Sequence, residues 1–159
     1  MITIADDLRN IANKVENLEE RVDEWGRQKL IVISHPNQHG NRLTKNFMAN
    51  EFACKDGSIL ILIDKRMLEG LQRIRDRLNN PIFITSAFRT WEHNLLVGGS
   101  SNSQHLLGTA VDIHSHGISL NRIADIAVEE GFTGIGMYRN SNFVHIDVRE
   151  NPAKWEGLI

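Results

Sequence analysis

The chain of 159 residues has a single cysteine, Cys54. It therefore forms no intramolecular disulfide, and Cys54 is expected to act as a small buried hydrophobe. An excess of one charge is also missing: 18 Lys and Arg stand against 20 Asp and Glu, a formal net charge of −2. That balance offers no strong attraction to nucleic acid. No stretch approaches the ~20 apolar residues needed to cross a bilayer, so no membrane insertion is expected. The N-terminus has no basic patch followed by an apolar core, and no secretory signal is expected there. Internal catalytic repeats and low-complexity segments are absent too. What remains, 41% hydrophobic and 24% charged, suits one domain with enough material for a core.

Residues 1–30 differ in kind from the rest. Ile4, Leu8, Ile11, Val15, Leu18, Val22 and Trp25 alternate spacings of four and three, which is a heptad seam. Thr3 can cap the start of this helix, and Lys14 and Glu19 fall at flanking positions that pair between parallel chains. The seam suggests a homo-oligomer through residues 4–25 or a partner helix. An amphipathic helix laid on its own domain is the alternative. Residues 31–42 read as a linker. An apolar run, Ile31-Val-Ile33, is followed by a loop marked by Pro36 and Gly40, in which His35 and His39 read as solvated.

The domain over 43–159 reads as α+β. Asp64 can cap a helix whose stripe is Met67, Leu68, Leu71, Ile74 and Leu78, ended by Asn79-Asn80-Pro81. Ile82 to Thr85 is a strand. A long loop follows from Ala87 to Gln104, and long loops in compact domains are often functional. Ser119 can cap a second helix, with Leu120, Ile123, Ala124, Ala127 and Val128 inward and Gly131 closing it. Strands near 134–138 and 143–148 complete the pattern.

Three residues carry the chemistry. Thr109 to His114 reads as a strand, with Val111 and Ile113 on one face and Ala110, Asp112 and His114 on the other. Phe143 to Val148 repeats the arrangement, with His145 and Asp147 opposite Val144, Ile146 and Val148. Polar groups on the non-core face of a buried strand need a partner, because burying them alone is costly. Hydrogen-bonded core residues are one reading. A metal is the other: His105, Asp112 and His145 have the donor types of a zinc site, and three protein ligands leave the fourth position that separates a catalytic zinc from a structural one. Gly108 supplies a tight turn or a close backbone approach between His105 and the strand.

The pattern Ser103-x-His105-x-x-Gly108-x-Ala110-x-Asp112 resembles the signature of the zinc D-alanyl-D-alanine carboxypeptidases, a group that shares its fold with the hedgehog signalling domain. Asn46-Phe47 to Phe52-Ala53-Cys54 is similar to the opening segment of a small phage and bacterial branch. Ile84 to Thr90, then Glu92-His-Asn94 and Val97-Gly-Gly99, resembles its substrate-side loop. Gly134-Ile-Gly136, Phe143 to Asp147, Arg149 and Trp155 resemble its closing segment. The likeness covers roughly 43–156. It implies a hedgehog/DD-peptidase-like domain, a small and mostly antiparallel sheet flanked by helices. It assigns His105, Asp112 and His145 to Zn2+, and Arg89 to a position near the substrate, where a guanidinium suits a carboxylate or polarised carbonyl. It implies a peptidoglycan stem or cross-link peptide with a D-residue near the cut, hydrolysed by a carboxypeptidase or an endopeptidase. A phage endolysin or a wall-remodelling enzyme fits these terms. Without a secretory signal, a chain made in the cytoplasm would reach the wall after lysis, through a holin or in a particle.

In one place the chain departs from the family. Members place a glutamate three residues before the last zinc histidine, or a histidine two before it, as general base. Those positions here are Asn142 and Phe143, and neither accepts a proton at neutral pH. Asp147 is the replacement candidate, as base or as the partner that fixes the tautomer of a zinc-bound histidine. His114, His116 and the potential oxyanion donor Tyr138 are weaker ones. Ser103 and Gln104 shape the ligand loop; no base is placed to make Ser103 a nucleophile. The departure leaves two further readings open: a zinc-containing module that grips wall peptide without cutting it, and an oligomeric particle component built on the heptad arm.

Overall fold

The computed structural model describes residues 29–157. The heptad seam over 4–25 lies outside the described residues. Chain order is β1 (Leu30–Ile33), β2 (Ile61–Asp64), α1 (Lys65–Leu78), β3 (Phe83–Ser86), α2 (Trp91–Leu96), β4 (Ala110–His114), α3 (Leu120–Glu129), β5 (Gly134–Tyr138), β6 (Phe143–Asp147) and β7 (Ala153–Glu156). Three 3-10 turns, Pro36–Gln38, Ala49–Phe52 and Gln104–Leu107, punctuate the loops.

Five strands form one sheet in the order β3-β4-β6-β5-β7, antiparallel except for the β5/β7 pair. Strands β1 and β2 form a separate antiparallel pair. The α+β expectation therefore holds, with a small and mostly antiparallel sheet. Alternation along the strands places Val111, Ile113, Val144, Ile146 and Ile135 in one continuous core with Met67, Leu71, Ile74, Ile123 and Phe132. Asp64 Oδ1 accepts from Arg66 N at 2.8 Å and starts α1; Asn79, at φ 46°, ends it in the left-handed conformation. Ser119 Oγ accepts from Arg122 N at 3.2 Å and starts α3. At the far ends of these two helices, Arg73 and Arg77 pair with Glu130, and Arg77 also with Glu129.

The structure differs from expectation at five points. The stretch 31–42 opens with a strand rather than a linker: β1 pairs with β2, and Leu30 and Ile33 are core residues. His39 is half-buried rather than fully solvated, and its Nε2 bonds the Ile59 carbonyl at 2.9 Å. On α3, Ile126 is buried and Val128 is 41% exposed. The helix packs on α1 as well as on the sheet, which moves its buried face toward 126. The loop after β3 contains α2, because Thr90 Oγ1 accepts from His93 N and caps a short helix. The parallel edge strand β7 was also not anticipated: its alternation of Ala153 and Trp155 with the exposed Lys154 and Glu156 spans only four residues.

Candidate metal centre

The site lies on the face of the sheet opposite the helices. β4 and β6 pair so that Asp112 stands directly across from His145, and neighbours on one face of such a pair are in side-chain contact. His105 comes from the 3-10 turn that precedes β4. That turn ends at Gly108, with φ 67°, where a Cβ would lie 2.3 Å from the Leu62 carbonyl oxygen. Glycine alone allows this approach, and the Gly108 carbonyl accepts from Asp64 N at 2.8 Å. Gln104, as expected of a loop-shaping residue, accepts the Thr109 hydroxyl through both its backbone and side-chain oxygens.

These elements bring three ligand-type atoms together. His105 Nε2 lies 3.2 Å from Asp112 Oδ1 and 3.1 Å from His145 Nδ1, and His145 Nδ1 lies 2.8 Å from Asp112 Oδ1. All three side chains are buried. The hydrogen bonds behind them identify the tautomers. A carbonyl only accepts, so His105 Nδ1, 2.6 Å from the Ala87 oxygen, carries that ring's proton and leaves Nε2 bare. Asp147 Oδ2 is 2.9 Å from His145 Nε2; an ionised carboxylate also only accepts, which leaves Nδ1 bare. Two imidazole lone pairs and one carboxylate oxygen thus converge on a single point away from water. Such a cluster is repulsive unless something positive sits within it. Tetrahedral coordination with bonds of about 2.0–2.1 Å sets ligand atoms about 3.3 Å apart, and the observed triangle is close to that size. The residues fit a zinc ion.

The electrostatics agree. Burial pulls the His105 imidazole below its ordinary value and keeps it neutral. Burial pushes the Asp112 carboxyl up, but hydrogen bonds from His105 and His145 outweigh it and hold the group below the carboxylate range. Burial also pulls His145 down, and the Asp112 and Asp147 carboxylates outweigh it and raise the imidazole above its ordinary value. The site favours a positive charge beside His145, whether carried by a proton or by a metal.

Around the triangle stands a layer of orienting groups. Arg89 donates through Nη2 to Asp112 Oδ2 at 2.9 Å and through Nε to Ser86 Oγ at 2.9 Å. Its side chain is 17% exposed, so it borders the ligands and still reaches solvent. Asp147 is fully buried. Its Oδ1 accepts from Arg149 N and Nε, at 3.0 and 2.8 Å, and its Oδ2 accepts from Arg149 Nη2 at 2.5 Å. It stands behind His145, on the ring nitrogen that faces away from the triangle, and does not reach the ligand side. Burial pushes its carboxyl up, but the His145 and Arg149 bonds outweigh it and hold the group below the carboxylate range. Gly134 makes room for this carboxylate, since a Cβ there would lie 2.2 Å from its oxygens. Gly136 likewise makes room for the Trp155 indole, which lies beside His145 with ring centroids 5.3 Å apart.

The remaining candidates fall elsewhere. Asn142 occupies the β5–β6 turn at φ 54° and is exposed. Phe143 stacks on Tyr138, and the Tyr138 hydroxyl accepts from Trp155 Nε1 at 3.1 Å. His114 and His116 group around Phe83. The Ala87 carbonyl had no sequence signal at all, because a backbone acceptor leaves no mark in residue type. The arginine clamp on Asp147 had one: an Asp-x-Arg step after the last ligand.

Residues 41–147 match the family described as Peptidase M15. The chain belongs to this peptidase family. Over 99 residues it is 34% identical to the peptidoglycan L,D-endopeptidase MepK of Escherichia coli K12, which covers 58% of this chain and 53% of that protein. Over 62 residues it is 34% identical to the probable peptidoglycan L,D-endopeptidase MepK of Haemophilus influenzae, covering 38% of this chain and 32% of that protein. The chain spans about half the length of the E. coli relative. Among the described residues, no helix is long and apolar enough to cross a membrane.

Proposed function

We propose that this chain is a zinc-dependent peptidase that hydrolyses an amide bond in peptidoglycan stem or cross-link peptides, as an endopeptidase rather than a carboxypeptidase. The convergence of three lone pairs from His105, Asp112 and His145 carries the zinc assignment. Membership of the M15 family supports the reaction, and the names of the relatives support the substrate and the internal cut. A zinc ion held there would polarise a scissile carbonyl and lower the pKa of a water molecule. The protein's own groups do the rest. The Ala87 carbonyl and Asp147 hold the two imidazoles in the tautomers that leave Nε2 and Nδ1 bare. Arg89 fixes the Asp112 carboxylate and, from its partly exposed position, can bind a substrate carbonyl or carboxylate. Asp147 acts as a positioning residue, since both its oxygens are engaged and neither faces the triangle. Release after lysis, or carriage in a phage particle, would bring the enzyme to its wall substrate.

A second reading rests on a specific observation. Asn142 and Phe143 occupy the positions where the family carries its base, and Asp147 is committed elsewhere. A zinc-holding module that grips wall peptide without cutting it has these features.

The test is digestion of purified peptidoglycan by zinc-loaded protein, with EDTA and His145→Ala controls, and products read by mass spectrometry. A metal-dependent product is expected, and its mass names the bond. Absence of product from protein holding one zinc per chain would favour the binding module. Failure to hold zinc would sink both readings.

A further inference from the structure

Strand β3 carries one residue more than its partner. Ile84 pairs with Ile113 and Ser86 with Asp112, so two steps along β3 match one step along β4, and Thr85 is the extra residue of a β-bulge. Residues that stand opposite each other in an antiparallel pair share a face of the sheet. Ile84, opposite Ile113, packs on the core. In unbroken register Ser86 would come opposite Val111, which is also a core residue. The bulge sets Ser86 opposite the ligand Asp112 instead. Thr85 Oγ1 donates to the Asp112 carbonyl at 3.2 Å, which ties the bulge to the ligand strand.

The segment Ser86–Arg89 then wraps the turn that carries His105. The Ala87 carbonyl accepts from His105 Nδ1 at 2.6 Å, Phe88 N donates to the Phe52 carbonyl at 3.2 Å, and Arg89 N donates to the His105 carbonyl at 3.1 Å. The main chain of Arg89 is thereby fixed to a ligand turn. Its side chain is fixed as well, through Nε to Ser86 Oγ and Nη2 to Asp112 Oδ2. These two bonds use one edge of the guanidinium, with one proton from each nitrogen. The other N–H groups, two on Nη1 and one on Nη2, form a second edge. Nη1 has no acceptor among the described residues, and the side chain reaches solvent. The Asp112 bond alone would leave the planar group free to swing about a single contact. A second contact at Nε fixes the plane, and a fixed plane presents its free edge in one orientation.

We propose that Ser86 is a positioning residue for Arg89. Its hydroxyl oxygen, brought to the ligand face by the Thr85 bulge, holds the guanidinium so that the Nη1 edge is preset to take an oxygen of the substrate peptide. This rests on the peptidase reading above. Holding the group in place beforehand removes an ordering cost that substrate binding would otherwise carry. Among the described residues, Ser86 makes no side-chain hydrogen bond to His105, Asp112 or His145, so its role is separate from holding the metal.

The test measures cleavage of purified cross-linked muropeptides by zinc-loaded full chains. Ser86→Ala is expected to lower kcat/KM by about tenfold, mostly through KM, the scale of one hydrogen bond to a charged group. Ser86→Thr keeps the oxygen acceptor and should recover most of that loss. In an Arg89→Lys background there is no Nε edge to hold, and Ser86→Ala should cost little more. A competitive zinc titration of Ser86→Ala should match the wild type. Independently of turnover, NMR of the Arg89 Nε–H should show faster exchange with water in Ser86→Ala. Thermal melts establish that each variant is folded. An equal loss in the Arg89→Lys background, zinc affinity that falls along with turnover, or Nε–H exchange that does not change would each overturn the role. Wild-type cleavage that Ser86→Ala leaves unaffected removes this role alone, whereas a wild type that does not cleave removes the peptidase reading and this role with it.

Discussion

Along β4 and β6, Val111, Ile113, Val144 and Ile146 alternate with Ala110, Asp112, His145 and Asp147, so the same two strands build two unlike faces. Both faces are buried around these residues, yet for different reasons. The helix-backed face is held by apolar area, which is non-directional and tolerates exchange among side chains of similar volume. The opposite face buries two histidines and two carboxylates, and each needs a particular partner at a particular atom. The difference separates what keeps the domain folded from what gives it chemistry. Damage to the first should appear as lost stability, and damage to the second as lost metal or lost turnover.

The sharpest way to break that comparison is a cavity on the apolar side. Ile146→Ala removes a fully buried side chain next to His145 and should cost about 2–5 kcal/mol. At roughly 2–4 °C per kcal/mol for a chain of this size, Tm falls by roughly 4–20 °C. Denaturant and thermal unfolding give the loss, and zinc analysis of the folded protein should still find one ion per chain. Loss of zinc from folded Ile146→Ala would mean that the two faces are not separable.

Asp147→Asn probes the polar face. A group that orients a metal-bound histidine typically changes metal affinity by about 10–100-fold, and a shift of that size is expected in a competitive zinc titration. Saturating zinc should restore most of kcat. A kcat that stays low in zinc-saturated Asp147→Asn would instead assign the carboxylate to proton transfer.

The smallest expected effect lies outside both faces, where Glu130 joins the ends of α1 and α3. Arg73 and Arg77 hold its carboxyl below the ordinary glutamate value. The folded state therefore binds that proton more weakly than the unfolded state does. The stabilisation is complete above the ordinary, unfolded value, and it is lost as the pH falls through the depressed, folded one. For partly exposed ion pairs the gain is small. Glu130→Gln should lower Tm by about 1–3 °C at neutral pH, and the two melting curves should converge as the pH falls below the ordinary glutamate range. Calorimetry across that range checks the sign. A gap that widens in acid would contradict it.

Much of this was legible before any coordinates. The period-two alternation around Asp112 and His145 placed both on the polar side of their strands, and the His105, Gly108 and Asp112 spacing put His105 in the turn just before the first of them. The caps Asp64 and Ser119 and the terminator Asn79 marked both long helices. Features without a side-chain signature were not legible. The Ala87 carbonyl is one, and the joining of Leu30–Ile33 to the domain is another, because an apolar run of four residues reads the same in a linker as in a strand. The role of Asp147 was ambiguous for a related reason: alternation fixes which face a residue shares, but not which nitrogen of its neighbour it touches.

Residue order alone was enough for the α+β class and the limits of the two long helices, because these depend on local periodicity and capping, and for the family resemblance that singled out His105, Asp112 and His145 as candidate ligands. Only the tertiary structure decided that Asp112 stands opposite His145, that both histidines turn bare nitrogens toward the same carboxylate oxygen, and that a bulge in β3 brings Ser86 across from that aspartate. Those relations depend on strand register and on hydrogen bonds between residues up to 40 positions apart. No local pattern in a chain encodes which of its distant strands will pair.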